Sequence, residues 1–244
     1  MKVKTLSKGR ASAFQRYRDL CYGKTSLGHV IAMELLQLFI GGLPGAAGVF
    51  LRGKLYSGRF GSVGSNLLIG RRVTFRHLKK IRFGNNVIID DGAVIDAKGY
   101  SNHGITIGDN VYIGRNTIVY CKNGDISLGN RVNISSNCEV FSSNSLSIAD
   151  DTVIGAYSYL LSGGEYDYTD TEHPFSEQSG MVTQGPLTVG RNCWLGARVT
   201  VLDAASIGDR CVLGAGAVVT RPLPSNSLAV GVPAKVVKTL EPAG

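Results

Sequence analysis

The residue best suited to acid–base chemistry is His173, one of four histidines in a chain of 244 residues. It is followed by Pro174 and lies in a polar and aromatic stretch that interrupts an otherwise regular repeat from about Leu161 to Pro186. An imidazole gains or loses a proton near neutral pH, so it can move a proton to or from a substrate. The acids that could orient it are Asp167, Asp170 and Glu172, and the sequence does not choose between them. We expect the repeat to build a platform and this loop to carry the chemistry.

The repeat has a period of six residues. Each unit starts with an aliphatic or aromatic residue, usually followed by Gly or a small polar residue, and it has a small or β-branched residue four positions after its start. Units in register begin at Phe83, Ile89, Ile95, Ile107, Ile113, Val119, Leu128, Ile134, Val140, Ile148, Ile154, Leu160, Val189, Leu195, Val201, Ile207, Leu213 and Val219, and a weaker first copy begins at Ile69. Three units make one coil of 18 residues, so coils starting at 83, 107, 128 and 148 carry short insertions, and the step from 189 to 207 carries none.

This period predicts an all-β solenoid shaped as a triangular prism, in which each unit supplies one short strand and one turn. Coils then stack at the spacing of a parallel sheet, and the first residue of each unit points into a narrow core. We expect the Gly or Asn beside it to adopt positive φ at the corner. The residue four positions on must be small because it also points inward: Val87, Ala93, Val111, Thr117, Cys138, Ser158, Cys193, Val199, Ala205, Cys211 and Ala217 fit.

The cysteines argue against a disulfide framework or a zinc site. There are five of them, with no CxxC spacing: Cys21, Cys121, Cys138, Cys193 and Cys211. An odd number without metal-ligand spacing favours a reducing compartment. Cys138, Cys193 and Cys211 occupy inward positions of the repeat, so they are predicted to fill the core rather than act as nucleophiles.

The front of the chain is basic and partly apolar. Residues 1–82 hold 16 Lys and Arg against two acids, whereas residues 83–244 hold 10 against 16 acids. A short helix is predicted around Ala11–Tyr22. A second is predicted over Leu27–Ile40, capped by Ser26 and ended by Gly41-Gly42. It is too short to span a bilayer, which takes about 20 residues.

We therefore divide the chain into a helical segment (1–60), a repeat domain with an inserted active-site loop (61–238, loop 161–186) and a tail (239–244). The first segment is predicted to lie on an anionic membrane surface. The alternatives are packing on the domain body or at a subunit interface, and a re-entrant hairpin at the GGLPG break. Nucleic acid is not expected as a partner, because the basic residues are not interleaved with exposed aromatics.

From Glu172 onward the chain reads EHPFSEQSGMVTQGPLTVGRNCWLGARVTVLDAASIGDRCVLGAGAVVTRPLPSNSLAVGVPAKVVK. The His-Pro pair, NCWLG, IGDRCVLGAGAVVTRPLP and GVPAKVVK resemble the galactoside- and maltose-type sugar O-acetyltransferases of the hexapeptide-repeat family. This resemblance implies a left-handed parallel β-helix, acetyl-CoA as donor, no metal cofactor, and a homotrimer with active sites between neighbouring coils.

The resemblance also implies roles for individual residues. His173 would be the general base, with a backbone N–H at a coil corner or a polar side chain stabilising the oxyanion. Trp194 would flank the thioester end of the pantetheine arm, and Ala197 and Ala215 would present backbone groups to its amides. The nucleotide end of the cofactor would lie near Thr220, Arg221, Lys235 and Lys238.

The chain departs from those soluble enzymes in its basic N-terminal segment and in the inserted EYDYTD, and its layout resembles polysaccharide-biosynthesis acetyltransferases. The function expected is acetylation of a sugar hydroxyl, on a free or lipid-linked glycan acceptor, at the inner face of the cytoplasmic membrane or in the cytoplasm. The alternatives are N-acetylation of an amino-sugar nucleotide and a non-enzymatic scaffold. A γ-type carbonic anhydrase needs three zinc-binding histidines from neighbouring subunits. It is disfavoured, because His29 and His77 precede the main coils and His103 lies far from His173 in the sequence.

Overall fold

The computed structural model describes residues 12–178 and 180–240, and it begins with three helices. These are α1 (Ala13–Cys21), α2 (Leu27–Phe39) and α3 (Gly45–Ser57). The predicted helix at Leu27 and its cap are confirmed, since the Ser26 hydroxyl accepts the backbone N–H of His29. The third helix was not predicted. No helix in the described part of the chain is long and apolar enough to cross a bilayer.

The remainder is a stack of parallel coils, each with one strand in each of three sheets, A, B and C. In coil order the strands are β1 (Ser62–Val63), β2 (Leu68–Ile69), β3 (Thr74–Arg76); β4 (Ile81–Phe83), β5 (Ile88–Ile89), β6 (Val94–Asp96); β7 (Ile105–Ile107), β8 (Tyr112–Ile113), β9 (Ile118–Cys121); β10 (Asp125–Leu128), β11 (Asn133–Ile134), β12 (Glu139–Ser142); β13 (Ser145–Ile148), β14 (Val153–Ile154), β15 (Tyr159–Ser162); β16 (Leu187–Val189), β17 (Trp194–Leu195), β18 (Thr200–Val201); β19 (Ser206–Ile207), β20 (Val212–Leu213) and β21 (Val218–Val219). A 3₁₀ turn (Leu78–Lys80) joins the first two coils. Strand β22 (Ser227–Val230) extends sheet B, and β23 (Lys235–Thr239) pairs with it antiparallel. This is the left-handed parallel β-helix that was predicted.

The core follows the six-residue period. The first residues of the units are buried, and so are the small residues four positions later, including Thr117, Ser158 and the three cysteines of the repeat. The hydroxyls of Thr117, Thr152 and Ser158 donate to backbone carbonyls of neighbouring coils, as in the 2.6 Å bond from Thr117 Oγ1 to Ser135 O. Polar groups are therefore tolerated in this narrow core where a carbonyl lies within reach. The buried hydroxyl of Ser142 has no hydrogen-bond partner among the described residues.

The predicted role of the glycine beside each core residue is wrong. The residue with positive φ comes two positions after that glycine, as at Asn86, Asn110 and Asn192, where φ lies between 53° and 58°. The glycine is required for a different reason, which is stacking. A Cβ on Gly190 would lie 2.6 Å from the backbone N of Asp209 in the next coil. A side chain there would push the coils apart.

The interruption is shorter than predicted. Leu161 and Ser162 belong to β15, where they pair with Phe141 and Ser142, so the inserted loop is 163–186 rather than 161–186. The chain leaves at the corner between sheets C and A and returns in register, with Leu187 opposite Leu146. The insertion is thus an excursion that leaves the ladder intact.

The helices are fixed to the first coils by a buried arginine. Arg52 of α3 is 2% exposed, and its guanidinium donates to the carbonyl oxygens of Ile69 (2.8 Å), Leu43 (2.7 Å) and Ile40 (3.2 Å). These bonds join the end of α2 and the turn after it to β2. The orientation of α2 on the prism is therefore set by charge-assisted hydrogen bonds as well as by packing.

Candidate active site

Within the loop, His173 is held by Asp170, three residues earlier. The two imidazole-to-carboxylate distances are 3.1 Å from Nδ1 to Oδ2 and 3.3 Å from Nδ1 to Oδ1. The carboxylate also accepts the backbone N–H groups of Glu172 (3.0 Å) and His173 (3.1 Å). A tight turn therefore closes around one carboxylate and points the imidazole outward, with 61% of the His173 side chain exposed.

This contact fixes which imidazole nitrogen can act as a base. The backbone N–H of His173 is the largest cause that holds the pKa of Asp170 below its usual range. An ionised carboxylate can only accept hydrogen bonds, so the proton lies on Nδ1. Nε2 then presents its lone pair to solvent, the arrangement that a general base for a hydroxyl needs.

Asp170 is thus the acid that orients the imidazole. Asp167 serves the loop instead, because its carboxylate accepts the backbone N–H (2.9 Å) and the hydroxyl (2.6 Å) of Thr169. Glu172 contributes its backbone N–H to Asp170. The sequence could not separate the three because the choice depends on the turn.

Gln178 joins the two halves of the loop. Its side chain accepts the backbone N–H of Asp167 (2.8 Å) and donates to the carbonyl oxygens of Asp167 (2.9 Å) and His173 (3.3 Å). Tyr166 and Phe175 add an edge-to-face contact with ring centroids 5.9 Å apart. The backbone of His173 is therefore tied to the opposite side of its own loop.

Asp203, which sequence reasoning missed, anchors the base of the loop. It is buried at the corner of the next coil and accepts the backbone N–H groups of Gly163 and Gln184, at 2.5 Å each. The Thr183 hydroxyl donates to the same carboxylate at 3.2 Å. One side chain thus holds both ends of the excursion. An acid at a unit's third position is common in this chain, so no sequence signal marked it.

A second feature lies at the corner between sheets B and C. The backbone N–H groups of Ala156, Ala197 and Ala215 stack in successive coils, and within the described residues none of them donates a hydrogen bond. The equivalent N–H groups of Asn85, Asp109 and Asn130, at the corner between sheets A and B, each donate to an Asp or Asn side chain one coil later. In these three coils the B/C corner is therefore a row of small side chains with free donors.

Trp194 lies beside this row on the outer face of sheet B, where 59% of it is exposed. Thr220 and Arg221 follow β21 and are exposed, as are Lys235 and Lys238 on β23. The cofactor candidates thus occupy the outer surface of the last three coils and the closing hairpin.

A single chain does not bring the two features together. The loop leaves at the C/A corner, while Trp194 lies on sheet B, the face opposite that corner in a three-sided prism. Within residues 12–178 and 180–240, no hydrogen bond or ring contact joins His173 to Trp194, Ala197 or Ala215.

Cys138, Cys193 and Cys211 fill the core of the repeat, as predicted. All five cysteines are buried and free, and burial raises the pKa of each thiol, for Cys193 to about 11. Thiolates are therefore scarce near neutral pH. The described residues also contain no group of three or more His, Cys, Asp or Glu side chains placed to hold a metal ion.

Comparison with known proteins agrees with this architecture. A family profile described as the hexapeptide repeat of succinyl-transferase matches residues 104–142 and 186–221. A protein of Mycobacterium tuberculosis named as a probable acetyltransferase is 30% identical over 174 residues, covering 68% of this chain and 56% of that protein. The galactoside O-acetyltransferase of Escherichia coli is 30% identical over 138 residues, covering 55% of this chain and 64% of the enzyme.

A solved structure shares the fold. It is a mutant of AntD, an N-acyltransferase from Bacillus cereus, in complex with dTDP-4-amino-4,6-dideoxyglucose and coenzyme A. The TM-score is 0.55 at 21% identity, covering 78% of this chain and 89% of that chain. The matched segments span 56% and 64% of the two sequence relatives' own lengths. The chain belongs to the hexapeptide-repeat family.

Proposed function

We propose that this protein is an acetyl-CoA-dependent O-acetyltransferase that modifies a sugar hydroxyl of a surface polysaccharide or of its lipid-linked precursor. The observation that carries the proposal is the His173–Asp170 pair, which leaves Nε2 free on an exposed loop. The relatives named as acetyltransferases, one of them a galactoside O-acetyltransferase, support the reaction class.

The chemistry follows from the two features. Nε2 of His173 takes the proton of the sugar hydroxyl as its oxygen attacks the thioester carbonyl carbon. The carbonyl oxygen becomes an oxyanion, for which a free backbone N–H of the B/C corner is a suitable donor. Collapse breaks the C–S bond, and the imidazolium returns the proton to the departing thiolate of coenzyme A. The products are an acetyl ester and free coenzyme A, with no residual charge on His173.

The cofactor would lie along the B/C corner of the last coils. Pantetheine carries two amides, and the N–H groups of Ala197 and Ala215 are unused donors one coil apart. Trp194 would pack against the thioester end, and Arg221, Lys235 and Lys238 would meet the phosphates. No metal takes part in this scheme.

Because the loop that carries His173 leaves the prism at the corner opposite the face that bears Trp194, a complete site would need two copies, which a homotrimer supplies. The outer face of sheet B favours such an assembly. The outward residues of sheet B in register are Leu68, Ile88, Tyr112, Asn133, Val153, Trp194 and Val212, so this row is apolar or aromatic except at Asn133. The outer face of sheet A instead carries a row of hydroxyls with one arginine: Ser62, Arg82, Thr106, Ser127, Ser147, Thr188 and Ser206. An apolar row of this kind marks an interaction surface.

Coenzyme A binding tests the proposal. At 100 times its dissociation constant, a ligand stabilises the native state by about 2.7 kcal/mol, which raises Tm by roughly 5–10 °C for a chain of this size. Trp194→Ala should weaken coenzyme A binding, so that about ten times more coenzyme A is needed for the same thermal shift. Tyr100→Ala removes an exposed aromatic side chain that is outside sheet B and should not weaken this binding.

The same protein is then given acetyl-CoA with sugar or amino-sugar acceptors, and the ester or amide product is identified by mass spectrometry. Light scattering should give three times 25.9 kDa. No thermal shift at millimolar coenzyme A would reject the proposal in favour of a scaffold. Amide but no ester product would reject O-acetylation.

A further inference from the structure

The outward face of the helical segment is apolar, and no described residue covers it. The side chains at issue are Leu27, Ile31, Leu35, Leu38 and Phe39 of α2, together with Phe50 of α3, and we call them the apolar helical face. The α2 members recur every three or four residues, so they share one side of the helix. Leu38, Phe39 and Phe50 are 72%, 65% and 66% exposed, which is unusual for side chains of this size.

The opposite side of α2 is apolar as well. Val30, Met33 and Leu36 pack towards the β-helix core. The only acid in the helix, Glu34, accepts hydrogen bonds from the hydroxyls of Tyr17 and Tyr22. A helix that is apolar on two opposite sides normally has a second apolar covering. Arg52 fixes the hairpin, so this face cannot turn inward to find one.

A basic pocket lies at the edge of this face. It has a volume of about 310 Å³ and is lined by His29, Lys54, Leu55, Gly58, Arg59 and Lys79. Within the described residues, Lys54, Arg59 and Lys79 form no ion pair with an acid. Burial, then the charges of Arg59 and Lys79, lower the pKa of His29. The pocket therefore offers uncompensated positive charge, and a headgroup phosphate is an anion of suitable size.

We propose that the apolar helical face and the basic pocket dock the protein on an anionic phospholipid bilayer. The apolar side chains enter the boundary between headgroups and acyl chains, and the pocket cations contact lipid phosphates. α2 has 13 residues, so it lies along the surface rather than crossing the bilayer.

Charge decides between a bilayer and a second copy of the chain as the covering partner. Residues 1–82 carry 16 basic residues and two acids. Two such segments placed face to face would oppose like charges, whereas an anionic bilayer complements both the cations and the apolar side chains. The inference does not depend on acyl transfer.

Flotation of the full chain with lipid vesicles tests the docking surface. We expect the protein to float with vesicles of phosphatidylcholine containing 30% phosphatidylglycerol (about the composition of an anionic surface) and to bind pure phosphatidylcholine far more weakly. The double variant Leu38→Glu/Phe39→Glu should lose binding by more than about tenfold, because it places two charges in the acyl boundary. Its matched control is Tyr100→Glu, which changes a side chain that is 86% exposed on the β-helix.

The pocket is tested separately. Each cation near such a surface contributes about a factor of five, so Arg59→Gln/Lys79→Gln should weaken binding to the anionic vesicles about 30-fold. The control Arg115→Gln/Arg191→Gln removes two exposed charges from distant coils and should change binding less than about threefold.

Three results would overturn the proposal: wild-type protein that stays unbound with anionic vesicles, an apolar-face variant that floats like wild type, or a pocket variant no weaker than its control. If Leu38→Glu/Phe39→Glu instead lowers the mass of the lipid-free protein, the face is covered by another copy and the lipid assignment is wrong. Since vesicle binding and coenzyme A binding are separate measurements, a failure of one leaves the other standing.

Discussion

Replacing His173 by Gln isolates its role as a base. Glutamine keeps a polar side chain that can still reach the Asp170 carboxylate, but it cannot accept a proton from a hydroxyl. General-base catalysis contributes about 10²- to 10⁴-fold, so kcat should fall by that factor. KM for acetyl-CoA should stay within about twofold, because the cofactor candidates lie on another face of the prism. The matched control is His103→Gln, an exposed histidine at the C/A corner of an earlier coil.

Replacing Asp170, the acid that orients the imidazole, should lower kcat less than replacing His173. Removing the buried acid of a serine-protease triad costs about 10⁴-fold. Here the imidazole is 61% exposed and water can hold it, so Asp170→Asn should lower kcat only about 10- to 30-fold. Asp167→Asn changes a loop acid that does not touch the imidazole, and it should leave kcat within about threefold.

Release of free coenzyme A can be followed with a thiol reagent, because the five buried cysteines of the protein give little background near pH 8. If His173→Gln keeps kcat within threefold of wild type, His173 is not the base. If Asp167→Asn is as slow as Asp170→Asn, the acids act by folding the loop, and the tautomer argument is refuted.

The remaining predictions concern the residues that support the site. Asp203→Ala leaves the backbone N–H groups of Gly163 and Gln184 without their acceptor, so limited proteolysis should cut within 163–186 and kcat should fall. Tm should change by only a few degrees. A loop that stays resistant to proteolysis would show that Asp203 is dispensable. Gly190→Ala should cost about 1–3 kcal/mol and lower Tm by roughly 3–10 °C, because its Cβ would meet the next coil's backbone. The control is Gly58→Ala, where a Cβ meets nothing within 4 Å; equal losses in both would contradict the stacking explanation.

The fold could be predicted because its core is one-dimensional. Each coil presents the same inward positions, so a six-residue period in the sequence is also the period of the packing. Helix α3 was missed because Gly45, Gly48 and Gly53 weaken its helical signal. In the structure Gly48 lets α3 approach the turn after α2, since a Cβ there would lie 2.1 Å from the Leu43 carbonyl oxygen. That requirement comes from tertiary packing, so no local sequence pattern reveals it.

The site was predicted in part for a related reason. His173 is conspicuous because it stands where the repeat stops. Its partner Asp170 is defined by a turn of four residues, and three nearby acids look alike in sequence. Asp203 bonds to Gly163, 40 residues earlier, and that contact exists only once the excursion has closed on the next coil. A contact between residues so far apart in the chain cannot be predicted from the spacing of residues in the sequence.

The location of the excursion is also the reason that the proposed function requires an assembly. A loop of 163–186 can be inserted only where no ladder pairing is lost, and register across it is kept in all three sheets, with Leu146 opposite Leu187, Val153 opposite Trp194 and Tyr159 opposite Thr200. A corner meets that condition, but the C/A corner faces away from sheet B. The donors at Ala197 and Ala215 belong to the B/C corner, which is fixed by the same stacking. The stacked coils fix the position of both corners on the prism, so under the proposed function the imidazole over that row would come from a neighbouring copy.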